Sequence, residues 1–266
     1  MLYRLKEDTV VLGGMRMDYA AFGKGERPLV ILPGLTLRDV KGAGLGLALS
    51  YRRFARDYRV YVFDKAKDIK EGYTVSDMAR DTADAMRALG ISDACVLGVS
   101  LGGMVAQHLA ITYPELVRRL VLAVTMPRPN PTAERVIGEW VACAERDDFA
   151  TLIRGMFPLM YSEKYMRRYA FMMPLLSRIG APRNKERFVR LARACLTSDT
   201  YEDLSRISCP TLVLGGREDK IVTADASLEL ARGIGCACHL YDGLGHAAYE
   251  EAADFNERVA RHFLEA

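Results

Sequence analysis

The feature that most constrains this chain is a buried-strand pattern that turns into a helix at a single serine. Residues 95–99 form an apolar run with β-branched valines, and apolar residues then recur at helical spacing as far as Pro114. Ser100 is left for the corner, with Gly98 and Gly102 two residues to either side. A Cβ atom at either glycine would obstruct so tight a turn. The segment therefore predicts a strained elbow that presents the serine hydroxyl at a helix N-terminus, with a plain Gly-Ser turn as the alternative.

Composition and charge narrow the class of protein. The chain has 266 residues, half of them hydrophobic, which is enough for one sizeable core. The formal net charge is +3 with scattered charges, so we expect no nucleic-acid partner, and the basic segment 183–193 is interpreted as a solvated helix face. No apolar run reaches membrane-spanning length, and residues 1–8 lack the apolar core of a signal peptide. We therefore expect no membrane partner.

The surroundings and spacing of the cysteines indicate whether the protein is in a reducing compartment and whether these residues could bind a metal. They lie in apolar or strand-like surroundings and show no paired metal-ligand spacing, and Cys236 and Cys238 project to one face of a predicted strand, a poor geometry for a disulfide. We therefore expect a reduced, cytoplasmic protein without a metal or other cofactor. The six cysteines are Cys95, Cys143, Cys195, Cys209, Cys236 and Cys238.

The order of predicted elements favours an α/β fold with a mostly parallel central sheet. Up to residue 127, short apolar strands alternate with helices, as in sheets that are covered on both faces. The elements predicted in this part are a hairpin over 9–22, strands at 29–32, 58–63, 95–99 and 120–124, and helices at about 47–56, 74–89 and 101–113.

The pattern changes between about residues 128 and 200, where helical segments rich in methionine and aromatic residues replace the apolar strands. The sheet pattern then resumes. We predict a core of residues 1–127 and 201–266, and a helical lid of residues 128–200 inserted between two late strands. The elements predicted after the lid are strands at 209–216 and 236–241 and helices at 224–232 and 252–264.

A serine nucleophile needs a base, and one of the four histidines is well placed to supply it. His246 lies in a glycine-punctuated loop directly after the last predicted strand, at the same carboxyl edge of the sheet as Ser100. His108 is two turns along the helix behind the serine, His239 lies within a strand, and His262 is on the closing helix. We predict that His246 is the base.

The base needs a carboxylate to orient it. The loop after the strand at 211–215 contains Glu218 and Asp219, also at the carboxyl edge, and both qualify by residue type. Residues 125–131, which follow the preceding strand, include no carboxylate. The acid is therefore expected in the later loop, with the choice between the two residues open.

With serine, acid and histidine in this chain order, each after a strand, the chain resembles the α/β-hydrolase fold family over nearly its whole length. The family places its acid in a Gly-x-x-Asp pattern, which falls on Asp219 when counted from Gly216 and leaves Glu218 as a solvated charge. The resemblance also implies an oxyanion hole made by the backbone N–H groups of Leu35 and Leu101.

The chain departs from that family's common pattern in two places. The oxyanion loop has Pro33-Gly34 where His-Gly is common, a change that leaves the backbone donor available. Asp64 is followed by Lys65-Ala66-Lys67 instead of the frequent Asp-x-x-Gly-x-Gly-x-Ser stretch. The shape of that loop is therefore not implied by the resemblance, and for Asp64 we expect a structural role.

The resemblance implies a serine hydrolase of the carboxylesterase type, acting on a small ester, thioester or lactone through an acyl-enzyme on Ser100. A serine at this corner argues against dehalogenases and epoxide hydrolases of the same fold, which use an aspartate. The alternatives are a ligand-binding or regulatory protein with little turnover, a carbon–carbon bond hydrolase and a cofactor-free peroxidase. A metal hydrolase is disfavoured because no His-x-x-x-His motif is present.

The lid is the source of the substrate prediction. A methionine-rich and aromatic helical block above the serine would line a flexible apolar pocket for an acyl or aryl group, although residues at this spacing also suit a plain core. The oligomeric state is not predicted. The predicted pocket residues are Met126, Trp140, Met156, Phe157 and Met160.

Overall fold

The computed structural model describes residues 3–169, 171, 182 and 184–264. Eight strands form one sheet in the order β1-β2-β4-β3-β5-β6-β7-β8. The second strand is antiparallel to both of its neighbours, and the remaining pairs are parallel. The strands are β1 (Lys6–Leu12), β2 (Met15–Phe22), β3 (Arg27–Leu32), β4 (Tyr58–Phe63), β5 (Ala94–Val99), β6 (Val117–Ala123), β7 (Thr211–Gly216) and β8 (Ala237–Tyr241).

Helices cover both faces of the sheet and bury an apolar cluster on each. Strands β3, β5 and β6 are almost wholly buried, as expected for parallel strands enclosed between helical layers. The α/β fold class with a mostly parallel sheet is thus confirmed. The described helices are α1 (Gly44–Ser50), α2 (Val75–Ala88), α3 (Leu101–Thr112), α4 (Pro131–Glu145), α5 (Phe149–Met160), α6 (Glu163–Tyr169), α7 (Lys185–Cys195), α8 (Ala224–Ile234), α9 (Ala248–Glu251) and α10 (Phe255–Leu264), with 3₁₀ turns at Pro114–Leu116 and Tyr201–Arg206.

Two helix predictions were too long. The helix predicted over 47–56 ends at Ser50, and its remaining residues form turns with hydrogen bonds between residues three apart that bury Phe54 and Ala55. The closing helix, predicted over 252–264, begins only at Phe255, because Ala252 adopts an extended backbone at the end of the short helix α9. At 51–56 the apolar pattern matches the burial of Phe54 and Ala55, which turns achieve without a helix.

The helices α4 to α7 all fall between β6 and β7 in the chain, and α4 packs against α7. Their buried side chains belong to the same apolar cluster as one face of the sheet. The division into core and lid stays a prediction, and residues 170, 172–181 and 183 of that lid lie outside the described residues. Within the part of the chain that the structure describes, no helix is long and apolar enough to cross a membrane.

Candidate active site

The carboxyl ends of β5, β7 and β8 carry the three residues of the predicted triad. Ser100 follows β5 directly, Asp219 lies in the loop after β7, and His246 lies in the loop after β8. These strands are parallel to one another through β6, so their carboxyl ends share one edge of the sheet. That edge is where open α/β sheets bind ligands.

The serine corner has the strained geometry that the glycine spacing predicts. Ser100 has φ 52° and ψ −120°, a conformation that non-glycine residues rarely adopt. A Cβ built on Gly98 would lie 2.6 Å from the carbonyl oxygen of Gly102, and one on Gly102 would lie 1.9 Å from that of Leu32. Both contacts are with backbone, so neither glycine tolerates a side chain while helix α3 starts this close to the sheet.

Ser100, His246 and Asp219 form one hydrogen-bonded chain. The serine Oγ lies 3.0 Å from His246 Nε2, and His246 Nδ1 lies 2.8 Å from Asp219 Oδ2. An ionised carboxylate can only accept, so Nδ1 carries the imidazole proton and Nε2 is left to accept the serine hydroxyl proton. The imidazole and the carboxylate are both buried, and this arrangement is the one that makes a serine nucleophilic.

The backbone settles which carboxylate faces the histidine. Asp219 Oδ1 accepts from the N–H groups of Ile221 at 2.8 Å and Val222 at 3.0 Å, which turns Oδ2 toward His246. Glu218 is exposed, and its backbone N–H donates to the carbonyl of Leu244. The neighbouring carboxylates therefore have different surroundings, as the family pattern implies.

The other three histidines have partners elsewhere. His108 Nε2 lies 3.2 Å from Ser198 Oγ, and burial lowers the pKa of this imidazole. His262 Nε2 lies 3.2 Å from the carbonyl oxygen of Pro210. His239 packs edge-on against Tyr241. Each of these three imidazoles thus contacts a residue other than Ser100.

Both predicted oxyanion donors lie at the serine. Leu35 and Leu101 line the same pocket as Ser100. A Cβ built on Gly34 would lie 3.1 Å from Ser100 Cβ, so the oxyanion loop passes directly beside the nucleophile. Among the described residues, no acceptor is found for the N–H of Leu35 or Leu101. Two backbone donors are thus available there, and their role stays a prediction.

One residue that follows β6 supports the serine, and a strained residue precedes it; sequence reasoning missed both. Thr125 Oγ1 donates to the backbone carbonyl of Ser100 at 2.8 Å. The preceding residue, Val124, has φ 45°, which is a true outlier for a β-branched side chain. Strain of this kind collects where a site over-determines its backbone. The signal available was position alone: a polar residue directly after a buried strand at the carboxyl edge.

A small apolar pocket with a volume of about 20 Å³ lies beside Ser100. Met126 and Trp140, both predicted as pocket residues, line it. Among its described lining residues none is charged. The remaining lining residues are Leu35, Leu101, Met104, Thr125, Ile137, Cys195, Ile221 and Val222.

The other three predicted pocket residues are not among those that line this pocket. All three are on α5: Met156 is buried in the core, and Phe157 stacks on Tyr161. The carbonyl of Met160 accepts the backbone N–H of Ala247 at 2.8 Å. The C-terminal end of α5 therefore packs against the loop that carries the catalytic histidine candidate.

Asp64 joins three segments near the oxyanion loop, in keeping with the structural role expected for it. Its Oδ2 accepts the N–H of Val40 at 3.1 Å, and its Oδ1 accepts from Arg187 of α7 at 2.8 Å. Arg187 also donates to the carbonyls of Lys65 at 2.7 Å and Ala66 at 3.0 Å. The interpretation of residues 183–193 as a solvated face is wrong at this position, because Arg187 is buried.

All six cysteines are free thiols in the structure. Burial raises the pKa of Cys195, which lines the pocket, to about 12, so this thiol stays protonated. In the described ranges, no group of three or more His, Cys, Asp or Glu side chains could hold a metal ion. The predictions on cofactors stay predictions.

Comparison with known proteins identifies the family. A model of the alpha/beta hydrolase family matches residues 29–259. The putative carbamate hydrolase RutD of Rhizobium rhizogenes is 28% identical over 252 residues, covering 88% of this chain and 96% of that protein. A 2-hydroxy-6-oxononadienedioate/2-hydroxy-6-oxononatrienedioate hydrolase of Paraburkholderia phymatum is 30% identical, covering 94% of this chain and 92% of that protein.

The fold comparison agrees. The crystal structure of the enol-lactonase from Burkholderia xenovorans LB400 matches with a TM-score of 0.84 at 22% sequence identity, covering 97% of this chain and all of that one. The chain belongs to the alpha/beta hydrolase family, and these relatives are hydrolases that act on small molecules.

Proposed function

We propose that this protein is a serine hydrolase that cleaves a small, uncharged ester, thioester or lactone through an acyl-enzyme on Ser100. The observation that carries the proposal is the unbroken chain of hydrogen bonds from Ser100 through His246 to Asp219, set beside an apolar pocket. We infer the oxyanion donors to be Leu35 and Leu101. No cofactor is needed for this chemistry.

The reaction has two halves. In the first, His246 takes the Ser100 proton as Oγ attacks the carbonyl carbon, and the resulting oxyanion is held by two backbone N–H groups. The tetrahedral intermediate collapses, His246 gives its proton to the leaving group, and an acyl-serine ester remains. In the second half, His246 takes a proton from a water molecule that attacks this ester, and it returns that proton to Ser100 Oγ as the acyl–oxygen bond breaks and the carboxylic acid leaves. Asp219 stays ionised and stabilises the imidazolium in both halves.

The pocket favours an uncharged acyl group. Burying a carboxylate without a cationic partner is costly, and no charged side chain lines the described pocket. This argues against the dioate substrate in the name of one relative, although carbon–carbon bond hydrolysis by the same serine remains the second candidate because of that relative's similarity. A carbamate, named for another relative, also offers a small carbonyl centre.

The test is hydrolysis of matched esters by purified protein. We expect turnover of p-nitrophenyl butyrate, and a kcat/KM about 10-fold or more lower for the p-nitrophenyl monoester of succinate, whose free carboxylate must enter the apolar pocket. Ser100→Ala should lower kcat by at least about a thousandfold on the ester. A folded protein that binds small esters but turns none over would instead support the ligand-binding alternative.

The cytoplasmic location expected from the cysteines stays part of this proposal, as does an apolar acyl or aryl group on the substrate. The oligomeric state is left open.

A further inference from the structure

Lys65 is the most unusual charged residue near the site. It follows β4, its side chain is buried, and its ammonium donates to the backbone carbonyls of Pro33 and Gly34, at 2.7 Å from the latter. Burial lowers the pKa of this ammonium to about 8. Burying a charge costs desolvation energy that hydrogen bonds to backbone oxygens alone repay poorly, so this lysine is not explained by fold stability. The identity of the two carbonyls that it binds therefore indicates its role.

The two carbonyls belong to the oxyanion loop. The carbonyl of Gly34 and the N–H of Leu35 are the two ends of a single peptide unit, which is planar and trans, as the chain contains no cis peptide bond among its described residues. In a trans unit the C=O and N–H point in opposite directions. A group that holds the Gly34 oxygen from one side therefore aims the Leu35 N–H to the other side.

The surroundings hold Lys65 in place. Its backbone N–H donates to Asp64 at 2.7 Å, and its carbonyl accepts from Arg187 at 2.7 Å. The charged or titratable groups facing the ammonium are Asp64 from its own loop and Arg187 and Cys195 from α7. The nearby carboxylate favours the charged form, while the guanidinium and burial oppose it.

We propose that Lys65 is a positioning residue for the oxyanion hole. Its ammonium donates hydrogen bonds to the carbonyls of Pro33 and Gly34 and so orients the 34–35 peptide unit. That orientation directs the Leu35 N–H toward the oxygen that becomes negative in the transition state. The inference rests on the proposed function of Ser100. The Lys65 ammonium also has an electrostatic effect: a cation bound to a peptide oxygen polarises that peptide unit and strengthens its N–H as a hydrogen-bond donor.

The test compares Lys65→Met with Lys67→Met on the same neutral ester. Lys65→Met keeps most of the length and apolar bulk of the side chain but removes its hydrogen bonds to the two carbonyls. The control removes a lysine of the same loop whose partner is Asp18, at 2.5 Å, on the side of β2. We expect Lys65→Met to lower kcat by about 10- to 100-fold, less than outright loss of an oxyanion donor, with KM changed less than about twofold. Lys67→Met should keep kcat within about twofold of the wild type.

Binding of a trifluoromethyl ketone separates positioning from general damage. Such a ketone forms a tetrahedral adduct with serine whose oxyanion occupies the hole, so Lys65→Met should weaken its inhibition by the same factor as kcat. Wild-type turnover abolished by Ser100→Ala establishes the proposed function independently. Lys65→Met protein that is folded by circular dichroism and retains wild-type kcat and inhibition, or loses only substrate binding, would overturn the positioning role.

The pH profile covers the case in which Lys65→Met does not fold. The ammonium has a pKa of about 8, so it loses its charge as the pH rises through that value. Its hydrogen bonds to the two carbonyls then weaken, and wild-type kcat should fall. Lys65→Arg keeps the charge at all accessible pH values, and its alkaline limb should move upward by about one pH unit or more. An alkaline limb unchanged in the arginine variant, after subtraction of a Ser100→Ala blank, would contradict the proposal.

Discussion

At the scale of single residues, the site depends on a contrast between neighbours in one loop. Asp219 is buried, with one oxygen fixed by two backbone N–H groups and the other on His246, whereas Glu218 is exposed beside it. Two carboxylates of nearly identical chemistry thus have different surroundings, because the turn after β7 points one inward and the other outward.

This contrast gives a matched pair of variants. Asp219→Asn keeps the side-chain shape but offers an amide to His246, which favours the wrong imidazole tautomer, and kcat for a neutral ester should fall by about 10⁴-fold. Glu218→Gln makes the same chemical change one residue away and should leave kcat within about twofold. Steady-state kinetics on both proteins checks this, and equal losses in the two variants would remove Asp219 from the proposed triad.

Residues with a local signature could be predicted from sequence, and those with remote partners could not. Ser100 was predictable from the glycines that flank it, and His246 was predictable from its place in the loop after the last strand. Lys65, Thr125 and Arg187 act on backbone carbonyls of segments far away in the chain. A contact with a remote carbonyl leaves no periodicity or spacing to detect, since every residue supplies the same acceptor.

At the scale of elements, α7 is joined to the sheet edge by a buried guanidinium. Arg187 reaches from this helix to Asp64 and to two carbonyls after β4, while Arg193, two turns later, pairs with Glu145 on the surface. The same residue type on one helix therefore makes a buried link at one end and an exposed pair at the other.

The two arginines should differ in their effect on stability. Arg187→Met leaves the buried Asp64 without its guanidinium and should lower the free energy of unfolding by about 3–5 kcal/mol. Arg193→Met removes only an exposed ion pair and should cost less than about 1 kcal/mol. Urea denaturation of both variants measures the difference. Costs of similar size would mean that α7 is not held at this edge through Arg187.

Helix and strand order were readable because the buried strands are short and apolar and the helices between them are periodic. The ends were less readable. Residues 51–56 have a helical apolar pattern, yet turns after α1 satisfy the same burial with Phe54 inside the core. The contact at the end of α5 was also not predictable, because it is a backbone hydrogen bond from the N–H of Ala247 to the carbonyl of Met160.

At the scale of the whole molecule, the parallel sheet brings together groups that are distant in the chain. Ser100 and His246 are separated by 146 positions, but β5 and β8 end at the same edge with β6 and β7 between them. The inserted helices then supply pocket walls, as Trp140 does, and support for the histidine loop. One face of the sheet and the helices above it share a single apolar cluster, so the site is built on the core of the molecule.

The most direct measurement of the central claim is labelling with a fluorophosphonate, which reacts with a serine hydroxyl only where a base and oxyanion donors activate it. Intact mass spectrometry of the wild type should show one phosphonate per chain, mapped to the peptide that contains Ser100. The folded Ser100→Ala variant should remain unlabelled, and His246→Ala should label at least about a hundredfold more slowly. Wild-type protein that stays unmodified, or that is modified equally in the Ser100→Ala variant, would contradict the account.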